Sequence, residues 1–258
     1  MGHLLDASTA ALWRLDSIGA GPTGTTPDIG PSGYTLDNFG GPGAELFRSV
    51  VQVSNAVTSL TTSPTTFDGP AIGNAGYLWP IPSTGVYGLR STNVVSAPDR
   101  AAVAGQLTVE AWIFWQGFPS WSIGTICALT DGNYLTSNFT FVVQPSANLA
   151  ILGYASPTPP GFWAASDSVS LPSYTWVHVA YRRRFDGVNW HHEFFHNGVQ
   201  TTDDFPTHAP GSAASGLRYT LFDSNGPFAG TIDDVRISSV ARSDLEILQS
   251  YQRGLGQP

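Results

Sequence analysis

His192 to His196 reads His-Glu-Phe-Phe-His, which matches the H-E-x-x-H pattern of zinc proteases. That pattern works on a helix, where two histidines four apart share one face and the glutamate between them stands ready as a base. The flanking residues predict a strand instead. Asn189 and Trp190 precede the segment, aromatic residues alternate through it, and Asn197-Gly198 follows at once as a hairpin turn signal. On a strand, residues four apart are separated by about 13 Å at roughly 3.3 Å per residue. Two imidazoles so spaced cannot share a zinc whose ligand bonds are about 2 Å. The expectation is a strand carrying solvent-facing histidines, with no metalloprotease centre.

Large rings gather in proline-rich stretches. Gly117 to Trp121, Tyr154 to Pro157, Pro159 to Trp163 and Tyr77 to Pro80 all read as connections between strands. Rings held on stiff loops can stack on sugar faces or anchor a protein partner at low entropic cost. Trp79, Trp121, Tyr154, Phe162 and Trp163 are therefore the candidate ligand-binding residues, and the alternative is that they fold back as lids over the core. Arg182, Arg183 and Arg184 alternate between strand faces and read as a solvated or locally paired cluster rather than an anion site. Cys127 is the one cysteine, so no intrachain disulfide can form, and its neighbours Ile126 and Leu129 predict a small buried hydrophobe.

These residues must be positioned by many short strands. The chain of 258 residues has 28 Gly, 19 Pro and 12% aromatic residues but only 12% charged ones, a composition of turns and strands with few long helices. Strand-like runs recur at 107–115, 139–143, 149–154, 176–184, 190–196, 217–222 and 231–238, as in a sandwich, and a single domain of this length is ordinary. Residues 19–43 read as loops around a short strand at 34–36, and residues 41–104 as an irregular loop or arm insertion. At the far end, Ile232, Val235 and Ile237 change parity, which leaves room for a bulge. Ser243 with Glu246 forms a capping box; Leu245, Ile247 and Leu248 supply an apolar stripe, and Gly254 is expected to stop the helix.

Charge and hydropathy narrow the partners. A net charge of -8 argues against nucleic acid, whose affinity depends on clustered cations. No stretch approaches the ~20 apolar residues of a membrane helix, and the start lacks the basic and apolar regions of a secretory signal.

Several segments together resemble one family. Gly230 to Glu246, GTIDDVRISSVARSDLE, resembles the closing strand and final helix of laminin-G-like domains in the concanavalin A-like lectin/glucanase superfamily. LTVEAWIFW at 107–115, YTWVHVAY at 174–181, the Asn197-Gly198 turn and ALWRLD at 11–16 match further strands of that family in order. The resemblance implies an all-β fold: a concanavalin A-like jelly-roll β-sandwich of two antiparallel sheets with a short C-terminal helix, as one domain over 1–258. It also implies a rim Ca²⁺ site of carboxylate and carbonyl oxygens, for which Asp131 and Asp223 are the candidates among turn-forming acids. The glucanase branch carries its catalytic carboxylates in E-x-D-x-x-E, and none of Glu45, Glu110, Glu193 or Glu246 sits in that pattern. No catalytic residue is assigned.

The functional expectation is a non-catalytic virion structural protein, on a phage capsid or tail. It would contact other virion structural proteins and host-surface glycans, with self-association left open. The missing export signal and single cysteine favour that setting. The alternative is a glycan-binding module of a bacterial surface protein, and a glycoside hydrolase ranks third.

Overall fold

In this computed structural model the described residues are 5–13, 25–26, 29–40, 72–73, 87–115, 123–131, 137–155, 161–204, 214–221, 228 and 230–255. They form two antiparallel sheets packed face to face. The seven-stranded sheet runs in the order β1 (Thr9–Trp13), β15 (Gly230–Ser238), β6 (Leu107–Trp115), β11 (Trp176–Phe185), β12 (Trp190–His196) and β13 (Val199–Asp204), with β4 (Ile72–Gly73) also paired to β15. The eight-stranded sheet runs β10 (Gly161–Ser170), β9 (Asn148–Ala155), β8 (Phe139–Val143), β7 (Gly124–Thr130), β14 (Arg218–Leu221), β5 (Tyr87–Ser91), β3 (Leu36–Gly40) and β2 (Thr25–Thr26).

Period-2 alternation fills the space between the sheets. Leu107, Val109, Ala111, Ile113 and Trp115 of β6 join Val177, Val179 and Tyr181 of β11 and Ile126, Cys127 and Leu129 of β7 in one core cluster. Cys127 is fully buried, and desolvation pushes its thiol far above the usual range, so it is the inert hydrophobe its neighbours predicted.

The opposite face of β6 and β11 is also covered, which pure alternation does not foretell. The helix α2 (Asp244–Gly254) crosses it, with Ile247 packed on Ala180 and Phe195. Ser243 and Glu246 form both halves of the capping box. Replacing Ser243 with alanine is expected to cost about 1 kcal/mol in chemical denaturation, and an unchanged midpoint would show that tertiary packing alone fixes the helix start. Two details of the helix differ from expectation. Leu245 is exposed rather than part of the packed stripe, and Gly254, the last helical residue as expected, ends the helix without the left-handed φ of a C-cap glycine. A Cβ on Gly254 would overlap the Trp112 indole, so glycine is needed there for close approach.

Other features follow the sequence closely. The β15 register shifts between Asp233 and Arg236, with Asp234 at φ 50°, which is the expected bulge. Asn197 and Gly198 turn the β12–β13 hairpin with positive φ at both positions. The short strand expected at 34–36 lies slightly later, at Leu36–Gly40. The stretch read as an irregular insertion supplies β5 and a further helix, α1 (Ala97–Ala104), whose N-cap Ser96 accepts from the Asp99 amide. Among the described residues no helix is long and apolar enough to cross a membrane.

Candidate functional site

Strand alternation and register bring a row of ionisable groups onto the outer face of the seven-stranded sheet. Arg182 lies opposite Glu193, Arg184 opposite His191, Ala180 opposite Glu110, and Glu193 opposite Asp203. Helix α2 and the segment leading into it divide this row into a sealed part and an open part.

The sealed part lies under the helix. Arg242 bonds Glu110 Oε2 and donates to Ser250 Oγ at 2.8 Å, while His178 Nε2 stands 3.7 Å from Glu110 Oε1. Glu110 and His178 are fully buried and Arg242 nearly so. Burial holds the His178 pKa down at about 4, with Glu110 pulling it up and Arg242 pushing it further down. Groups so enclosed cannot meet a substrate, and their work is to satisfy one another beneath the helix.

The open part is a cleft of about 730 Å³ lined by Arg182, Arg184, Glu193, Gln200, Asp203 and residues 241–246. Glu193 is clamped from two sides: Arg182 Nε donates to Oε2 at 2.5 Å and Arg184 Nη2 to Oε1 at 2.9 Å. Burial alone would raise the Glu193 pKa, but these two guanidinium groups outweigh it and lower it. Arg182 also donates to Asp244 Oδ1 at 2.7 Å, tying the sheet to the first turn of α2. At the cleft's edge His191 is held between carboxylates, with Nδ1 3.0 Å from Asp203 and Nε2 2.9 Å from Asp186. Burial opposes its charge, yet Asp186 and Asp203 prevail and raise its pKa. Among the described residues, His191, Glu193 and Asp203 are the group whose ligand atoms all lie within 4.8 Å of one another.

The His-Glu-Phe-Phe-His segment is strand β12, as expected, but its histidines are not solvent-facing. His192 is buried on the core side, 2.9 Å from Tyr181 Oη, and burial lowers its pKa to about 3. His196 reaches Asp167 Oδ2 of β10 at 2.7 Å, and Thr202 of β13 donates to Asp167 Oδ1 at 2.6 Å. These contacts tie the two sheets along one edge. The physical reason for the correction is parity: His192 and His196 share the inward face of β12 with Phe194, which packs in the core between the sheets. Of the Arg cluster, Arg182 and Arg184 are locally paired as foreseen. Arg183 is buried, donating to the Val103 and Gly105 carbonyls at 2.7 Å where α1 ends.

The aromatic candidates divide. Trp79 and Trp121 lie outside the described residues. Tyr154, Phe162 and Trp163 belong to strands rather than to the connection between them: β9 and β10 pair Phe162 with Tyr154 and Trp163 with Gly153. Pairing runs to Ala155 and resumes at Gly161, so these rings stand on strands beside the proline-rich stretch rather than in it. Of the calcium candidates, Asp131 is exposed where β7 ends, and Asp223 lies outside the described residues. The cleft was not foreseen. Its signal was present in the alternation His191-x-Glu193, hidden by the more familiar pattern that overlaps it.

A laminin-G-type family model, described as the Concanavalin A-like lectin/glucanases superfamily, matches residues 89–248. No curated protein matches the chain significantly. Among solved structures, the receptor binding domain of a botulinum neurotoxin C/D mosaic serotype aligns with TM-score 0.60 and 14% identity over 95% of this chain and 51% of that one. A structure of botulinum neurotoxin type C, whose cell entry is described as dependent upon interaction with two ganglioside molecules, aligns with TM-score 0.58 and 11% identity over 96% of this chain and 51% of its own. Domain 4 of an extracellular arabinanase from Geobacillus stearothermophilus, in complex with arabinotriose, aligns with TM-score 0.51 and 13% identity over 95% and 98% of the two chains. The chain thus spans about half the length of the neurotoxin domains it matches.

Proposed function

Because the chain belongs to the concanavalin A-like lectin/glucanase superfamily, we propose that it is a non-catalytic glycan-binding module, used for attachment at a surface. The observation that carries this reading is the end of β9 and the start of β10, where the register sets Phe162 directly across from Tyr154. Aromatic residues directly opposite on paired antiparallel strands are a residue pattern that can offer one apolar surface to a sugar ring. Structural relatives bound to arabinotriose or dependent on gangliosides favour sugars as the ligand class.

The glutamates support the absence of catalysis. Glu110 is sealed against Arg242, Glu193 is clamped by two arginines, and Glu246 is committed to the helix cap, while Glu45 lies outside the described residues. A glycosidase needs two carboxylates free to face one bond.

A glycan array probed with the full chain tests the reading. Binding to at least one glycan is expected, with a loss of about tenfold in Phe162→Ala, the order of one aromatic anchor. An array blank for the wild type, or hydrolysis of a bound glycan, overturns it. For the setting we favour a virus particle, in contact with other virion structural proteins. A fold whose single Cys127 is buried needs no oxidising compartment. Absence of the chain from purified particles by mass spectrometry would remove that part.

A further inference from the structure

The residues of β12 that can do chemistry lie one position out of frame with the zinc-protease pattern. His191 and Glu193, two apart, project from one face of the strand, and Asp203 stands directly across from Glu193 on β13. We propose that His191, Glu193 and Asp203 form a binding site for a divalent transition-metal ion of the zinc type, with Asp186 orienting the histidine. Ligands bonded at about 2.0–2.2 Å to one tetrahedral ion sit roughly 3.4 Å apart. His191 Nδ1 is already 3.0 Å from both oxygens of Asp203, and the three ligand atoms lie within 4.8 Å of one another. Paired strands fix the backbone, so side-chain adjustment alone closes the set.

The outward nitrogen of the imidazole supplies an independent pointer. His191 Nε2 lies 2.9 Å from Asp186 Oδ2, and Asp186 Oδ1 is itself fixed by the amides of Val188 at 2.8 Å and Asn189 at 2.7 Å. A carboxylate holding the non-ligating nitrogen is the arrangement that sets ring orientation in metal-binding histidines. One imidazole with two carboxylates suits zinc, where calcium prefers an all-oxygen cage. Glu193 and Asp203 also line the open cleft, so an ion can enter from solvent.

Arg184 is the resident cation that the metal displaces. Its guanidinium donates to Glu193 Oε1, and its side chain is 35% exposed, free to swing outward while Arg182 keeps Oε2. The ion takes the place of the proton shared between His191 Nδ1 and Asp203. Arg184 therefore competes with the metal, which separates this proposal from a purely structural cluster.

Calorimetric titration of Zn²⁺ into the chelator-treated full chain at neutral pH tests it. One ion per chain is expected. His191→Gln and Asp203→Asn should each weaken binding at least about tenfold, Asp186→Asn by about 10–100-fold, and Arg184→Gln should tighten it. Asp131→Ala should leave zinc binding unchanged, since that residue belongs to the separate calcium expectation. No zinc heat in the wild type, wild-type affinity in His191→Gln, or no gain in Arg184→Gln overturns the proposal. Arg184→Gln keeps the test decisive should a ligand variant fail to fold, and the titration uses no sugar, so it stands apart from the glycan reading.

Discussion

Replacing Arg242 with methionine is expected to lower the unfolding free energy by about 3–5 kcal/mol, the cost of breaking a buried ion pair from one side. Arg242 bonds Glu110 and Ser250 under α2, and Glu110 is fully enclosed. Without the guanidinium, Glu110 is left as a carboxylate in a dry interior with His178 nearby, held neutral by burial and unable to replace the lost charge. The double variant Glu110→Gln with Arg242→Met should recover much of the loss, because a paired charge costs less to replace than to orphan. Urea denaturation of the wild type, both single variants and the double variant measures the coupling. A loss under about 1 kcal/mol for Arg242→Met, the scale of a surface pair, would mean that water reaches this network and that α2 does not seal it.

Mild acid should weaken the fold through two histidines. His178 and His192 are buried, with pKa values lowered from 6.5 to about 4 and about 3. In the unfolded chain both take a proton near pH 6.5, whereas in the folded chain they do not until well below it. The unfolded state therefore binds more protons in this window, and stability falls as pH falls. Each such group removes about 1.4 kcal/mol per pH unit, or on the order of 2 kcal/mol apiece near pH 5. His191 acts in the opposite sense, since its raised pKa favours the protonated fold and offsets part of the loss. The lowered carboxylates Asp167 and Glu193, with ordinary values of 3.8 and 4.5, give up their contribution only below this window. Thermal melts between about pH 8 and pH 5 should show a steep drop in the wild type and a shallower one in His192→Phe. Equal pH profiles for the two would show that the buried ring is not the acid-sensitive element.

Much of this molecule is legible in its sequence because local chemistry and tertiary structure agree there. The capping box at Ser243, the Asn197-Gly198 turn and the bulge after Ile232 each depend on a few adjacent residues, and each is found where the pattern puts it. The strand at His192 to His196 is legible for the same reason, as its turn and aromatic signals are local. What a sequence read alone hides is the second layer. The burial of Glu110, His178 and Arg182 depends on a helix more than 60 residues away in the chain, so alternation could not say that both faces of β11 are covered. The prolines before Phe162 drew a ring that belongs to a strand into the reading of a loop, and Ser96-Ala97-Pro98-Asp99 is a legible helix start obscured by the irregular composition around it. The His191, Glu193 and Asp203 cluster needed the β12–β13 register, which no residue type encodes by itself.

The position of β1 sets the order of events in synthesis. Thr9 to Trp13 bonds to Val235 to Ser238 of β15, and Asp6 reaches Arg236 across 230 positions of chain. While the ribosome is still making the middle of the protein, β1 has no sheet to join, and Trp13, fully buried in the finished fold, has no place to go. The β11–β12–β13 meander can form early from neighbouring strands, but the seven-stranded sheet closes only when β15 emerges, with α2 following it to cover the outer face. Closure of so long a loop is slow compared with local hairpins. The nascent chain therefore carries exposed sheet edges through most of its elongation, and added chaperones should raise its soluble yield.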